Sequence, residues 1–276
     1  MHTRLLYASS PQWNRLVGNV DRLISGDGFR VLKDEGRTRA GILALEGLAP
    51  VFVKRALVRS WLVGILDRFG NSPARRWLQG ARMLRAAGFA CPTPLVALER
   101  IRAGSVRECF SICEALTGAA VLSRAVFGER ANTERRRRMF ASVAGEVRRL
   151  HDAGLYTRDM QETNIMIGEA AGEFRVYFVD LEDFRRTRQV STTRRLMNLV
   201  HLDRSIGRFM SRTARVRFLY SYMGETGLRA SRQRIIERIM ELRRREDSHA
   251  SARVRSETLK AQVARASGGG ESNLAD

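Results

Sequence analysis

Lysine is nearly missing from this chain. Only Lys33, Lys54 and Lys260 occur, and the other 46 of its 49 basic residues are arginine. An arginine excess of this kind follows genome base composition as readily as it follows function. The formal net charge of +20 therefore has two readings. One is attraction to polyanions such as nucleic acid, anionic lipid headgroups or a phosphorylated glycolipid; the other is compositional bias. Cysteine is scarce too. Cys91, Cys109 and Cys113 make an odd number without metal-ligand spacing, which argues against a disulfide framework and points to a reduced, cytosolic protein. No apolar run approaches the ~20 residues of a membrane-spanning helix. Met1 to Asn14 lacks the apolar core of a secretory signal. No zinc motif or aromatic-studded basic sheet is present, so nucleic acid is not the expected partner. No internal repeat is visible.

What is present suffices for a substantial core: 44% apolar residues in a chain of 276, enough for one large domain or two lobes around a cleft. Trp13, Leu16, Val17, Val20, Leu23 and Ile24 recur at helical spacing, so residues 1–27 are read as a leader helix. Three strand-like runs follow, at Phe29–Lys33, Ala40–Leu45 and Pro50–Arg55, with Gly36 and Gly47 marking the turns. A helix is expected from Pro73 to Ala87, stopped by Gly88. Two more strands, Leu95–Arg100 and Cys109–Cys113, complete a small antiparallel lobe over residues 28–116. Residues 117–245 read as mainly helical. They include a helix through Arg135 to Asp152 that Thr133 would cap, a hairpin from Asn164–Ile167 and Arg175–Val179, and a helix capped by Ser191. From about 246 to 276 apolar periodicity is lost and Gly268-Gly269-Gly270 appears, so a polar, disordered tail is expected.

The densest chemistry lies between Leu150 and Asp180. Leu150-His151-Asp152-Ala153-Gly154 leads to Asp159, Asn164 stands five residues on, and Asp180 ends the apolar run Val176-Tyr177-Phe178-Val179. Asn and Asp are common turn residues, so each alone would be unremarkable. Together they form the set that phosphoryl transfer needs: one carboxylate to accept the proton of an attacking hydroxyl, and an amide and a second carboxylate to hold Mg²⁺ against phosphates.

This pattern resembles the catalytic loop and metal-binding Asp of the protein-kinase-like superfamily. The resemblance implies an α+β, bilobal fold with a small antiparallel-sheet lobe and a mainly helical lobe. It assigns Asp159 as the catalytic Asp, with Asn164 and Asp180 as metal ligands. The usual Asp-Phe-Gly is Asp180-Leu181-Glu182 here, as in small-molecule and lipid kinase relatives. Lys54, at the end of a strand, resembles the lysine that meets ATP phosphates. Glu114 and Leu116 fall where a hinge would bind adenine through its backbone. Three features depart from the pattern. No G-x-G-x-x-G follows the first strand, although Arg37 or Arg39 could cover phosphates there. Thr157 replaces the loop His. The helix from Ser72 to Arg85 has no Glu to pair with Lys54, leaving Gln79 or Asp67 as candidates for that role.

Further segments narrow the resemblance: Phe52-Val53-Lys54-Arg55, Gly88 to Pro94, Val179 to Asp183, Asn198 to Ser205 and Arg217-Phe218-Leu219. With the catalytic motif they look like the lipopolysaccharide core kinase family, which includes the Kdo and heptose kinases and InaA-like proteins. That implies an ATP- and Mg²⁺-dependent kinase acting on a sugar hydroxyl of the lipid A–core glycolipid. It would be cytoplasmic, peripheral at the inner face of the inner membrane, meeting an anionic surface. Arg185, Arg186 and Arg188, near the metal Asp, could hold an anionic acceptor. Two alternatives stay open: a small-molecule kinase of the aminoglycoside or choline type, and a non-catalytic pseudokinase that binds anionic lipid.

Overall fold

A computed structural model of the chain describes residues 1–58, 72–129, 132–224 and 237–244, together with the single residues 63, 65, 67, 235 and 248. Its first feature is a six-stranded antiparallel sheet of β1 (His2–Ala8), β2 (Phe29–Glu35), β3 (Thr38–Leu45), β4 (Leu48–Leu57), β5 (Pro94–Arg102) and β6 (Ser105–Glu114), ordered β1-β5-β6-β4-β3-β2. Both faces are covered, and the alternation of side chains along the strands says by what. Val51, Val53, Val96, Leu98, Phe110 and Ile112 point to one face, where they bury Trp13, Val20 and Ile24 of the segment around helix α1 (Asn14–Ser25). Cys109 and Ile101 point to the other face, toward helix α2 (Pro73–Ala86), whose Ala74 joins them. Ser72 caps α2 by accepting from Arg75 N–H at 3.3 Å, and Pro73 takes the first helical position, where a missing N–H costs nothing.

Residues 1–27 are not one leader helix. Helical spacing holds from Trp13 onward, but residues 2–8 form a sheet strand pairing with β5 from His2↔Ile101 to Ala8↔Val96. The sheet thus has six strands rather than the expected five. Its new edge is tied down by charge: Arg4 Nε donates to Glu99 at 2.7 Å, and Arg75 Nε reaches the same carboxylate at 3.0 Å. Glu99 is fully buried, and a buried carboxylate needs such partners.

The second lobe is mainly helical: α3 (Leu122–Gly128), α4 (Thr133–Asp152), α5 (Thr192–Ile206) and α6 (Arg212–Met223). Asn132, not Thr133, caps α4, its side chain accepting from Arg135 N–H at 2.9 Å. Both residues are good caps, so sequence alone could not separate them. Ser191 caps α5 as expected. β7 (Ala120–Val121) precedes α3, and between α4 and α5 run β8 (Leu155–Thr157), β9 (Ile165–Ala170), β10 (Glu173–Phe178) and β11 (Phe184–Arg186). They form a sheet β10-β9-β7 and a pair β11-β8. β9 and β10 join through Ala171-Gly172, with φ of 51° and 79°. That is the two-residue turn whose twist suits a hairpin, at some strain for the alanine. The tail expected over 246–276 lies outside the described residues, save residue 248.

Candidate active site

A cavity of about 620 Å³ opens between the sheet and the helical lobe. Lys54 on β4, Glu114 at the end of β6 and Leu116 after it, Asn164 before β9 and Asp180 after β10 all line it. These positions are as many as 126 residues apart in sequence, and the fold brings them together. Lys33, Trp77, Cys113 and Met166 share the wall.

Lys54 Nζ lies 2.8 Å from Asp180 Oδ1 and 2.9 Å from Glu182 Oε1. Burial alone would lower the lysine pKa, but the Glu182 and Asp180 carboxylates outweigh it and hold the group above the ordinary lysine range. A fixed positive charge is thus built where phosphate oxygens would need one. Asp180 adopts a left-handed conformation, φ 55° and ψ 64°, which few residues other than glycine tolerate and Asp does. The kink starts the Leu181–Asp183 turn and aims the carboxylate back into the cavity.

Asp159 lies beside this group in the loop that follows β8. Asn164 Nδ2 donates to both its backbone O and its Oδ2, each at 3.0 Å, and Gln161 Nε2 donates to Oδ1. With its NH₂ spent on Asp159, Asn164 has its Oδ1 left as a ligand oxygen. Asn164 O accepts from Val179 N–H at 2.9 Å, which sets the loop beside the strand that ends in Asp180. One carboxylate and one amide oxygen form an all-oxygen donor pair. That suits Mg²⁺, which keeps waters and takes most of its ligands from substrate phosphates. Among the described residues no cluster of three or more His, Cys, Asp or Glu could hold a metal by itself.

The missing loop His has a neutral substitute. His151 on α4 is fully buried between Tyr222 Oη, 2.8 Å from Nδ1, and Asn198 Oδ1, 3.0 Å from Nε2. Asn198 Nδ2 donates to Thr157 O at 2.7 Å, and Thr157 Oγ1 accepts from Asp159 N–H at 3.1 Å. Burial pushes the His151 pKa down to about 4, so the ring is neutral at pH 7. Three helices thus grip the loop that carries Asp159. The signal for Asn198 was present in the sequence: a polar residue among Leu196, Leu199 and Val200 on a helix.

The sequence also misplaced some partners. Gln79, a candidate to hold Lys54, is exposed. Asp67 is buried, where burial raises its pKa and Arg76 pulls it back, with Glu99 nearby. Besides Asp180, the carboxylate that meets Lys54 is Glu182, the last residue of the Asp-Leu-Glu tripeptide. Arg39 is engaged by Asp34 at 2.8 Å and by the Ile24 carbonyl, while Lys33 lines the cavity instead. Arg185 donates to the Glu182 and Phe184 carbonyls, and Arg186 and Arg188 remain exposed. The Glu114 carboxylate accepts from Thr93 N–H at 3.0 Å, so its side chain serves the loop rather than the cavity.

Residues 57–222 match the family model "Lipopolysaccharide kinase (Kdo/WaaP) family". The chain belongs to this family. It is accordingly a phosphotransferase, and lipopolysaccharide is the family's substrate class. The match begins just after Lys54, which enters the site through the fold. Among solved structures, the chain resembles one described as "WaaP in complex with acyl carrier protein". The TM-score is 0.63 at 21% identity, covering 88% of this chain and 98% of that one. At that identity the likeness speaks for the fold, which is α+β and protein-kinase-like. The comparison with curated proteins finds no match.

Proposed function

We propose that this lipopolysaccharide kinase transfers the γ-phosphate of Mg²⁺-ATP to a sugar hydroxyl of the lipid A–core glycolipid. The observation that carries the reading is that Lys54, Asn164 and Asp180 line one cavity while Asp159 is hydrogen-bonded to Asn164 beside it. Bound Mg²⁺ would supply positive charge to offset that of the phosphates. Asn164 Oδ1 and the Asp180 carboxylate would hold it. Lys54 neutralises charge on the phosphates from the rigid strand β4. Asp159, its carboxylate fixed by Asn164 and Gln161, orients the acceptor hydroxyl and takes its proton. The Glu114 and Leu116 backbone at the end of β6 would receive adenine.

The net charge of +20 supports a peripheral enzyme working at an anionic membrane surface. Among the described residues no helix is long and apolar enough to cross a membrane. The same charge disfavours the cationic acceptors of aminoglycoside and choline kinases.

The test offers purified lipid A–core, choline and an aminoglycoside to the wild-type protein with labelled ATP and Mg²⁺. Label is expected on the glycolipid alone. Label on choline or the aminoglycoside instead would overturn the acceptor assignment, and no transfer to any acceptor would overturn the reading as a whole.

A further inference from the structure

Helix α2 approaches the cavity without a single acidic residue; its charged residues are Arg75, Arg76, Arg82 and Arg85. Yet it is the element packed against the turn that bears the metal Asp. The Arg76 guanidinium lies 3.7 Å from Glu182 Oε2, while the other oxygen of that carboxylate lies 2.9 Å from Lys54 Nζ. The Lys54 and Glu182 side chains are 21% and 18% exposed, so both charges are largely withdrawn from water. One helical turn beyond Arg76, at Gly80, backbone meets backbone. A Cβ at Gly80 would stand 2.0 Å from the Leu181 carbonyl oxygen, closer than any side chain could be accommodated.

We infer that Glu182 is the positioning residue for Lys54, and that Arg76 and Gly80 of α2 hold it there. The lysine–carboxylate pair of a kinase is then present with its parts exchanged: the acid sits on the metal-binding turn and the helix supplies the base. This rests on the nucleotide-site reading above.

Charge bookkeeping favours the arrangement. Lys54 faces two carboxylates, Asp180 and Glu182. If Asp180 is drawn toward a metal, Lys54 needs a partner that stays, and among the described residues Glu182 has that position. Arg76 offsets the charge of Glu182, so triphosphate would enter a set that is close to neutral rather than acidic. Glu182 also sits two residues from Asp180 on one short turn, so the lysine and the metal ligand are fixed by the same piece of chain.

The experiment measures calorimetric affinities of Mg²⁺-ATP and of adenosine for wild type, Glu182→Gln, Glu182→Asp and Arg76→Gln. Adenosine lacks the phosphates that Lys54 would meet, so it reports the integrity of the cavity alone. Glu182→Gln is expected to weaken Mg²⁺-ATP about 10-fold or more while leaving adenosine within about 2-fold, because a charged hydrogen bond to Lys54 is lost. Glu182→Asp keeps the carboxylate and is expected to recover most of that loss, and Arg76→Gln to weaken Mg²⁺-ATP about 3-fold. In the ligand-free protein, Arg76→Gln is expected to speed amide exchange over residues 73–86. Equal loss of ATP and adenosine in Glu182→Gln, or unchanged ATP affinity, overturns the inference. A wild type that binds neither ligand overturns the nucleotide-site reading and the inference with it.

Discussion

The two supports of the active site are made of opposite materials. Above the cavity, Lys54, Asp180, Glu182 and Arg76 form an ionic group at the lobe boundary, partly open to water. Below it, the uncharged side chains of Tyr222, His151, Asn198 and Thr157 form a buried chain of hydrogen bonds inside the helical lobe, with the Arg195 guanidinium at its Tyr222 end. The difference follows from what each support must do. Groups proposed to face phosphates have to exchange partners, and paired charges lining an open cavity can do so when an entering anion replaces the partner that is lost. Groups that only hold Asp159 in place gain from being neutral and buried, where an ion would carry a large desolvation penalty and a satisfied hydrogen bond is rigid.

The comparison is broken most severely at His151. His151→Ala removes a ring that closes two buried hydrogen bonds, leaving Tyr222 Oη and Asn198 Oδ1 without it. A loss of about 2–4 kcal/mol is expected in denaturant unfolding. The same residue gives the helical lobe a pH signature. Its folded pKa is depressed from 6.5 to about 4, so the unfolded chain binds the extra proton first. Its contribution is complete above about pH 6.5 and is lost as pH falls toward 4. Wild type should therefore lose stability over that window, and His151→Ala should lose less of its remaining stability across it. An equal slope in both proteins would remove His151 from the account.

A smaller effect is expected at the ionic support. Gly80→Ala forces a methyl group toward the Leu181 carbonyl, so α2 must lift away. About 1–3 kcal/mol of destabilisation is expected, together with weaker Mg²⁺-ATP binding, since the turn carrying Asp180 and Glu182 moves with it. The smallest effect sharpens the contrast between support and mere connection. Gly172→Ala places an alanine at φ 79° in the β9–β10 turn. It should cost about 1 kcal/mol of stability and leave nucleotide affinity unchanged.

The sequence disclosed the grouping of Asp159, Asn164 and Asp180, because they lie within 22 residues and their spacing is itself a chemical statement. Lys54 drew notice as a strand lysine in a chain almost without lysine, although β4 runs on past it to Leu57. The upper support was hidden. Lys54 and Glu182 are 128 residues apart, and nothing local marks Glu182 as the substitute for a helix carboxylate. β1 was missed for the same reason: it takes its order from β5, more than 85 residues away, and from Arg4 reaching Glu99. Long-range pairing decides both, and helical periodicity that begins at Trp13 says nothing about residues 2–8. Asn198 falls between these cases. Its polarity on an apolar helix face is readable, but its partners His151 and Thr157 are not.

The central claim is that Asp159 acts as the base of a phosphoryl transfer whose nucleotide site is built by other residues. The direct measurement is single-turnover transfer of labelled γ-phosphate to lipid A–core by wild type and Asp159→Asn, with Mg²⁺-ATP affinity measured on the same samples. The account predicts a rate lower by about 10²–10⁴-fold in the variant with nucleotide affinity nearly unchanged. Equal rates would contradict it, as would a loss of rate matched by a loss of nucleotide binding.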